Sequence, residues 1–266
     1  MKTGAIVDHI VHWLRAYCDD AGLRGFVVGV SGGIDSAVTS TLCAETGRPL
    51  RPVCLPIHQQ PVQLSLARRH IAWLKRRYDN ITSAETDLGP AFDALRRALP
   101  AGMDEDLMTM ANTRSRLRMA ALYAFAGYHQ CLVAGTGNKI EDFGVGFFTK
   151  YGDGGVDLAP IADLMKSEVY RIGEYLGLLD AILAATPTDG LWPDNRSDEA
   201  QMGASYDELE WAMTHADTVH EKNLDDRQKK VLAIYRRLHR TNRHKMEPIP
   251  FPRIPAALKQ RTVTAE

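Results

Sequence analysis

Apolar residues recur at helical or strand spacing along most of the chain. Ile6, Ile10, Leu14 and Tyr17 are three or four positions apart, which predicts an amphipathic helix over residues 4–20. Short apolar runs bounded by glycine or proline predict strands instead. The predicted strands are residues 26–30, 50–57 and 131–134. The other predicted helices are residues 37–45, 62–78, 107–126, 163–176, 205–215 and 224–240.

Strands that alternate with helices favour a parallel sheet, because parallel neighbours need crossover connections. We therefore predict an α/β, Rossmann-like fold with helices on both faces and more helices towards the C-terminus. Residues 1–266 are expected to form one domain, with its core at 22–185, a lid and helices at 186–245 and a tail at 246–266. The lid is expected at 186–198, which is rich in Pro, Gly and Asp.

The composition changes this picture little, but it excludes several classes of protein. Hydrophobic residues make up 45% and charged residues 24% of the chain, with a formal net charge of −1, which excludes disordered, collagen-like and coiled-coil proteins. A near-neutral chain has no overall positive electrostatic potential that would attract nucleic acid. The four cysteines form no CxxC pair, so we expect buried thiols in a reducing compartment. The N-terminus is typical neither of a signal peptide nor of a membrane span, which predicts a cytoplasmic protein.

The run SGGIDS at residues 31–36 carries the first candidate chemistry, because it follows a predicted strand and opens a predicted helix. Glycines let the backbone approach phosphate oxygens, and a helix N-terminus attracts anions. Asp35 would repel phosphate unless a cation lies between them, so it is a candidate Mg²⁺ ligand. The alternative is a tight turn in which Asp35 only favours the helix N-terminus. No GxxxxGK[ST] motif is present.

SGGIDS resembles the phosphate loop of the ATP pyrophosphatase superfamily, whose members cleave ATP between its α and β phosphates. The later run FFTKYGDGG at residues 147–155 is similar to the signature of NAD synthetases. The similarity continues through Asn112, Arg116 and Arg118, then PIADLMKSEVYRIGEYLG, TPTDGLW, YDELE and His244-Lys245. It covers nearly the whole chain except residues 58–105.

This resemblance implies a role for each matching residue. It implies that Asp35 and Glu141 hold Mg²⁺ and that Asp35, Lys166 and Asp157 are catalytic. The implied ATP-binding residues are Gly29, Val30, Ser31, Gly32, Gly33, Ile34, Ser36, Thr136, Lys166 and Thr188. The implied residues for nicotinate adenine dinucleotide (deamido-NAD) are Arg116, Lys150, Asp157, His244 and Lys245. Without the resemblance, Lys166 would be interpreted as an exposed lysine in the first turn of a helix.

The reaction that the resemblance implies is the ATP-dependent amidation of deamido-NAD through an acyl-adenylate, giving NAD, AMP and pyrophosphate. Such enzymes are homodimers that use ATP, deamido-NAD and Mg²⁺. The chain has no room for an additional amidase domain, so we expect free ammonia as the nitrogen donor unless a separate glutaminase supplies it. No nucleic acid or membrane partner is expected.

Two departures from the family pattern leave the acceptor open. The loop after Glu141 is one residue longer than expected, and PIHQQPVQ after the second strand leaves the adenine-reading residues unassigned. The nearest alternative is amidation of nicotinate mononucleotide to NMN. A tRNA-modifying adenylase would need a sulfur-relay cysteine pair and a basic face, and only the stretch from Arg236 to Lys245 favours it. An inactive nucleotide-binding module is the third alternative.

Overall fold

The computed structural model describes residues 1–59, 61–188, 190, 197–220, 222 and 224–259. The strands are β1 Gly25–Gly29, β2 Leu50–Cys54, β3 Ala84–Glu85 and β4 Cys131–Val133. The helices of the first part are α1 Thr3–Asp20, α2 Ile34–Glu45, α3 Pro61–Arg77, α4 Gly89–Ala98 and α5 Leu107–His129. The later helices are a π-helix Ile140–Val145, α6 Lys166–Tyr175, α7 Asp180–Leu183, α8 Asp198–Met202, α9 Tyr206–His215, α10 Asp226–Met246 and α11 Ala256–Lys259.

The described strands form a parallel sheet in the order β3-β2-β1-β4. Phe26 pairs with both Leu50 and Leu132, so β1 lies between β2 and β4. Because all the strands run in one direction, their carboxyl ends meet at one edge. The prediction of a parallel α/β sheet is therefore confirmed.

The two faces of the sheet are covered by different helices. Phe26 and Val28 pack with residues of α1, α2 and α6, whereas Val27 packs with Val133 and residues of α5. This alternation follows from the strand period of two, which sends successive side chains to opposite faces. Helices therefore cover both faces, as predicted. A separate cluster joins the π-helix to α9 and α10.

The π-helix lies where the sequence has one residue more than expected. Short π-helices often lie near functional sites. Three side chains of α10 satisfy its last carbonyl groups. His239 Nδ1 lies 2.7 Å from the Gly144 oxygen, and Asn242 Nδ2 donates to Val145 O at 2.8 Å. Lys245 Nζ donates to Gly146 O at 2.6 Å.

Several predicted boundaries were wrong. The first two strands end at Gly29 and Cys54, before the predicted residues 30 and 57. Helix α4 was not predicted, and α8 begins at Asp198, inside the segment expected to be irregular. The rest of the predicted lid falls largely on Asp189 and residues 191–196, which lie outside the described residues. The thiols were predicted correctly, because all four cysteines are free and buried. Within the described ranges, no helix is long and apolar enough to cross a bilayer.

Candidate active site

A cavity of about 1090 Å³ opens at the carboxyl ends of β1, β2 and β4. The 31–36 loop lines one side, and Gly135 and Thr136 line it after β4. The 146–150 segment and the end of α10 line it as well. The position agrees with the rule that ligands of open α/β sheets bind beyond the carboxyl ends of the strands.

The 31–36 loop is held in shape by its two serines. Ser36 Oγ donates to Gly33 O at 3.0 Å and accepts from Ser31 N at 3.2 Å, while Gly33 N donates to Ser31 Oγ at 3.2 Å. Gly32 adopts a φ of +94°, and a Cβ there would lie 2.7 Å from Gln63 O. Only glycine fits this position, because both the backbone conformation and the space exclude a side chain. The loop ends at the N-terminus of α2, whose first N–H groups have no partner within the helix.

Lys166 lies between the two candidate metal-binding carboxylates. Its Nζ is 2.6 Å from Asp35 Oδ2 and 3.1 Å from Glu141 Oε1. Only 3% of the Lys166 side chain is exposed, so the exposed position suggested by local pattern alone is wrong. Asn138 Nδ2 donates to the other Asp35 oxygen at 3.1 Å. Tyr206 OH donates to Glu141 Oε1 at 2.6 Å.

The charges of this cluster are strongly coupled. Burial disfavours the charged form of Lys166, but the attraction of Asp35 and Glu141 is larger and holds the Lys166 pKa above its ordinary value. Burial raises the pKa of Glu141, and Lys166 opposes that rise. Two carboxyl groups thus lie beside one ammonium at the wall of the cavity.

Basic residues of three segments also line the cavity. Arg116 Nε donates to Lys150 O at 3.3 Å, and Lys150 Nζ donates to His244 O. Lys245 Nζ donates to Phe148 O at 2.8 Å, and burial lowers the Lys245 pKa. The basic residues are Arg116 of α5, Lys150 of the 146–150 segment, and His244 and Lys245 of α10. The fold therefore brings together cations that are up to 129 positions apart in the sequence.

Asp157 is the exception among the predicted site residues. Its Oδ2 accepts from Val133 N at 2.8 Å and its Oδ1 accepts from Tyr123 OH at 2.9 Å. Its two oxygens thus connect the end of β4 to α5, and Asp157 is not among the described residues that line the cavity. Its neighbour Asp153 does line the cavity, where it accepts a hydrogen bond from Ser115 Oγ at 2.6 Å. A role of Asp157 in substrate binding stays a prediction.

The other predicted residues all line the cavity. They are Gly29, Val30, Ser31, Gly32, Gly33, Ile34, Asp35, Ser36, Arg116, Thr136, Glu141, Lys150, Lys166, Thr188, His244 and Lys245. Sequence reasoning assigned no role to Asn138, Asp198 or Tyr206, which contact the charged cluster or each other. Asn138 follows the second Gly-rich loop and Tyr206 opens the YDELE run, so both had a local signal. Asp198 had none.

Residues 6–249 match the family model described as NAD synthase. A protein named NH(3)-dependent NAD(+) synthetase from Alkaliphilus metalliredigens is 38% identical over 259 residues, which cover 96% of this chain and 100% of the relative. A relative of the same name from Methanosarcina acetivorans is 34% identical over 256 residues, 93% of this chain and 97% of its own.

Two solved structures extend this similarity to the fold. The NMN synthetase from Francisella tularensis is 31% identical with a TM-score of 0.83, covering 96% of this chain and 100% of that structure. The NH3-dependent NAD synthetase from Campylobacter jejuni is 25% identical with a TM-score of 0.76 and the same coverage.

Proposed function

Because the chain belongs to the NAD synthase family, we propose that it amidates deamido-NAD with ammonia and ATP, giving NAD, AMP and pyrophosphate. One observation carries this proposal. A glycine loop at a helix N-terminus and a buried lysine between two carboxylates share one cavity with a basic cluster. The first two features suit the triphosphate of ATP, and the basic cluster suits a dinucleotide that carries a carboxylate and a pyrophosphate.

In the first step, a nicotinate carboxylate oxygen attacks the α-phosphorus of ATP. The bond to the β-phosphate breaks, which leaves an acyl-adenylate and pyrophosphate. Backbone N–H groups of the 31–36 loop are placed to bind the phosphate oxygens, because Gly32 and Gly33 leave the backbone uncovered. Lys166 supplies a fixed positive charge where negative charge develops, and its burial strengthens that interaction.

Mg²⁺ fits the residues beside this loop. Asp35 and Glu141 offer hard oxygen ligands, and both contact Lys166 at the wall of the cavity. Mg²⁺ commonly binds one or two protein carboxylates together with substrate phosphates. When bound, the ion would neutralise phosphate charge, and Asp35 and Glu141 are the residues that would hold it.

In the second step, ammonia attacks the activated carbonyl carbon. The bond to AMP breaks, a proton is lost from nitrogen, and the amide remains. The anionic groups of the acceptor would bind Arg116, Lys150 and Lys245, basic residues that line the cavity, during both steps. Water would hydrolyse the adenylate, so the scheme requires the site to exclude it.

The decisive experiment offers the purified protein ATP, Mg²⁺ and ammonium with deamido-NAD. We expect AMP and NAD to form in equal amounts, with pyrophosphate rather than inorganic phosphate released. ADP as the nucleotide product, or AMP formed without amide, would contradict the proposed reaction. Substituting glutamine for ammonium tests the nitrogen donor, and we expect little amide with glutamine alone.

Nicotinate mononucleotide is the second candidate acceptor. The similarity to the Francisella tularensis NMN synthetase, with a TM-score of 0.83, favours it. The two acids differ by an AMP group, so the ratio of their kcat/KM values under identical ATP and ammonium decides between them. We expect the larger kcat/KM for deamido-NAD.

We also propose a homodimer, located in the cytoplasm. Light scattering behind size-exclusion chromatography measures the molar mass directly, and a dimer of this 29.5 kDa chain is expected. A monomer at micromolar concentrations would contradict that part of the proposal and leave the proposed reaction intact.

A further inference from the structure

Tyr206 opens α9 and sends its hydroxyl into the charged cluster. The hydroxyl donates to Glu141 Oε1 at 2.6 Å and lies 3.3 Å from Asp198 Oδ2. A hydroxyl has one proton to donate, so the shorter contact identifies Glu141 as its main acceptor. The Tyr206 residue is 5% exposed, which protects this hydrogen bond from competing water.

The position of Tyr206 is held by contacts outside the cavity. Its backbone N donates to Glu199 Oε1 at 2.9 Å. The preceding residue, Ser205, forms a capping box with Glu208, and Glu208 is paired with Arg227 of α10 through two bonds of 2.6 Å. Because these contacts do not involve the substrate site, they fix the tyrosine before any ligand binds.

Each carboxylate of the cluster accepts from Lys166 and from one further side chain. Lys166 Nζ lies 2.6 Å from Asp35 but 3.1 Å from Glu141, so the ammonium binds Glu141 less closely. The second side chain that donates to Asp35 is Asn138, and the second that donates to Glu141 is the Tyr206 hydroxyl. The Tyr206 ring also lies over the lysine, with Lys166 Nζ 4.6 Å from its centroid.

We propose that Tyr206 is a positioning residue that orients Glu141 against Lys166 for the ATP-dependent step. This inference rests on the proposed function only through the role of Glu141 in binding ATP with its metal ion. Tyr206 also links that role to a second predicted ATP contact. Asp198, beside the Tyr206 hydroxyl, donates its backbone N–H to Pro187 O at 3.1 Å, next to Thr188.

The variant Tyr206→Phe tests the hydroxyl alone. The ring keeps its packing and its contact with Lys166, and Glu141 stays paired with that lysine, so the protein should fold. We expect kcat for AMP formation to fall about tenfold or more, the usual effect of losing a hydrogen bond to a charged group. KM for the nicotinate acceptor should change less than about twofold, because the basic cluster is untouched.

Tyr235→Phe is the matched control. Tyr235 is buried in the same cluster as Tyr206, but it is not among the described residues that line the cavity. We expect this variant to keep its activity within about twofold of the original protein. An equal loss in both variants would assign the effect to packing and overturn the proposal.

Two further measurements separate positioning from a general structural role. A non-hydrolysable ATP analogue with Mg²⁺ should raise the melting temperature less in Tyr206→Phe than in the original protein. Adding Tyr206→Phe to Glu141→Gln should cost almost no further activity, because both changes act on one carboxylate. The proposal would be overturned if the activity losses of Tyr206→Phe and Glu141→Gln were fully additive in the double variant. It would also be overturned if Tyr206→Phe changed neither the thermal shift nor kcat. Failure of the proposed function would appear differently, as ATP binding without amide formation in the original protein.

Discussion

We predict that the buried His70 makes the folding stability depend on pH. It lies in α3, fully buried, with its Nε2 2.9 Å from Ser40 Oγ and its ring stacked on Trp73. Ser40 Oγ donates to Ser36 O at 2.7 Å, so Ser40 accepts from His70 and the imidazole carries its proton on Nε2. His70 therefore supports the 31–36 loop from behind as a neutral side chain.

Burial lowers the His70 pKa from 6.5 to about 4. Between these two pH values the unfolded chain binds a proton that the folded chain excludes. Stability from this group is therefore complete above pH 6.5 and is lost as the pH falls towards 4. With these two pKa values, the loss between pH 7 and pH 5 is about 2 kcal/mol.

The assay is urea unfolding of the original protein and of His70→Gln at several pH values from 7 to 5. Glutamine can still donate to Ser40 but does not titrate in this range. We expect the unfolding free energy of His70→Gln to fall by about 2 kcal/mol less than that of the original protein over this range. Equal losses in the two proteins would show that His70 does not cause this dependence on pH. His12→Gln, which removes an exposed histidine of α1, is the control and should follow the original protein.

Three further predictions concern the cavity. Gly32→Ala places a Cβ 2.7 Å from Gln63 O, so we expect KM for ATP to rise at least about tenfold in steady-state kinetics. An unchanged KM would show that the loop has room for a side chain at this position. Lys166→Met leaves Asp35 and Glu141 without their ammonium, so we expect AMP formation, measured by chromatography, to slow at least about 100-fold. Near-normal turnover would show that the reaction does not need Lys166. Arg116→Ala should raise KM for deamido-NAD while KM for ATP stays unchanged. A raised KM for ATP with an unchanged KM for deamido-NAD would contradict the assignment of Arg116 to the acceptor.

Local pattern predicted the main elements because their signals are local. The run FVVGV followed by SGGIDS indicated a strand, a loop and a helix, and the structure has β1 and α2 there. Helix α4 was not predicted, because its stability depends on contacts with residues that are distant in the sequence. Phe92 of α4 is buried against Ile57 and Met110, and neither partner can be read from the residues around it.

The glycine loop could be predicted from residues 31–36 alone, because phosphate binding there depends on neighbouring residues of one short segment. What surrounds Lys166 depends instead on how distant elements pack. Its own helix pattern indicates an exposed side chain, yet folding brings it to Asp35 across 131 positions and to Glu141 across 25. It likewise sets Tyr206 beside Glu141 and places Asp157 at the end of β4 instead of in the cavity. The reason is that burial and charge pairing depend on which elements pack together, and packing joins residues that are far apart in the chain.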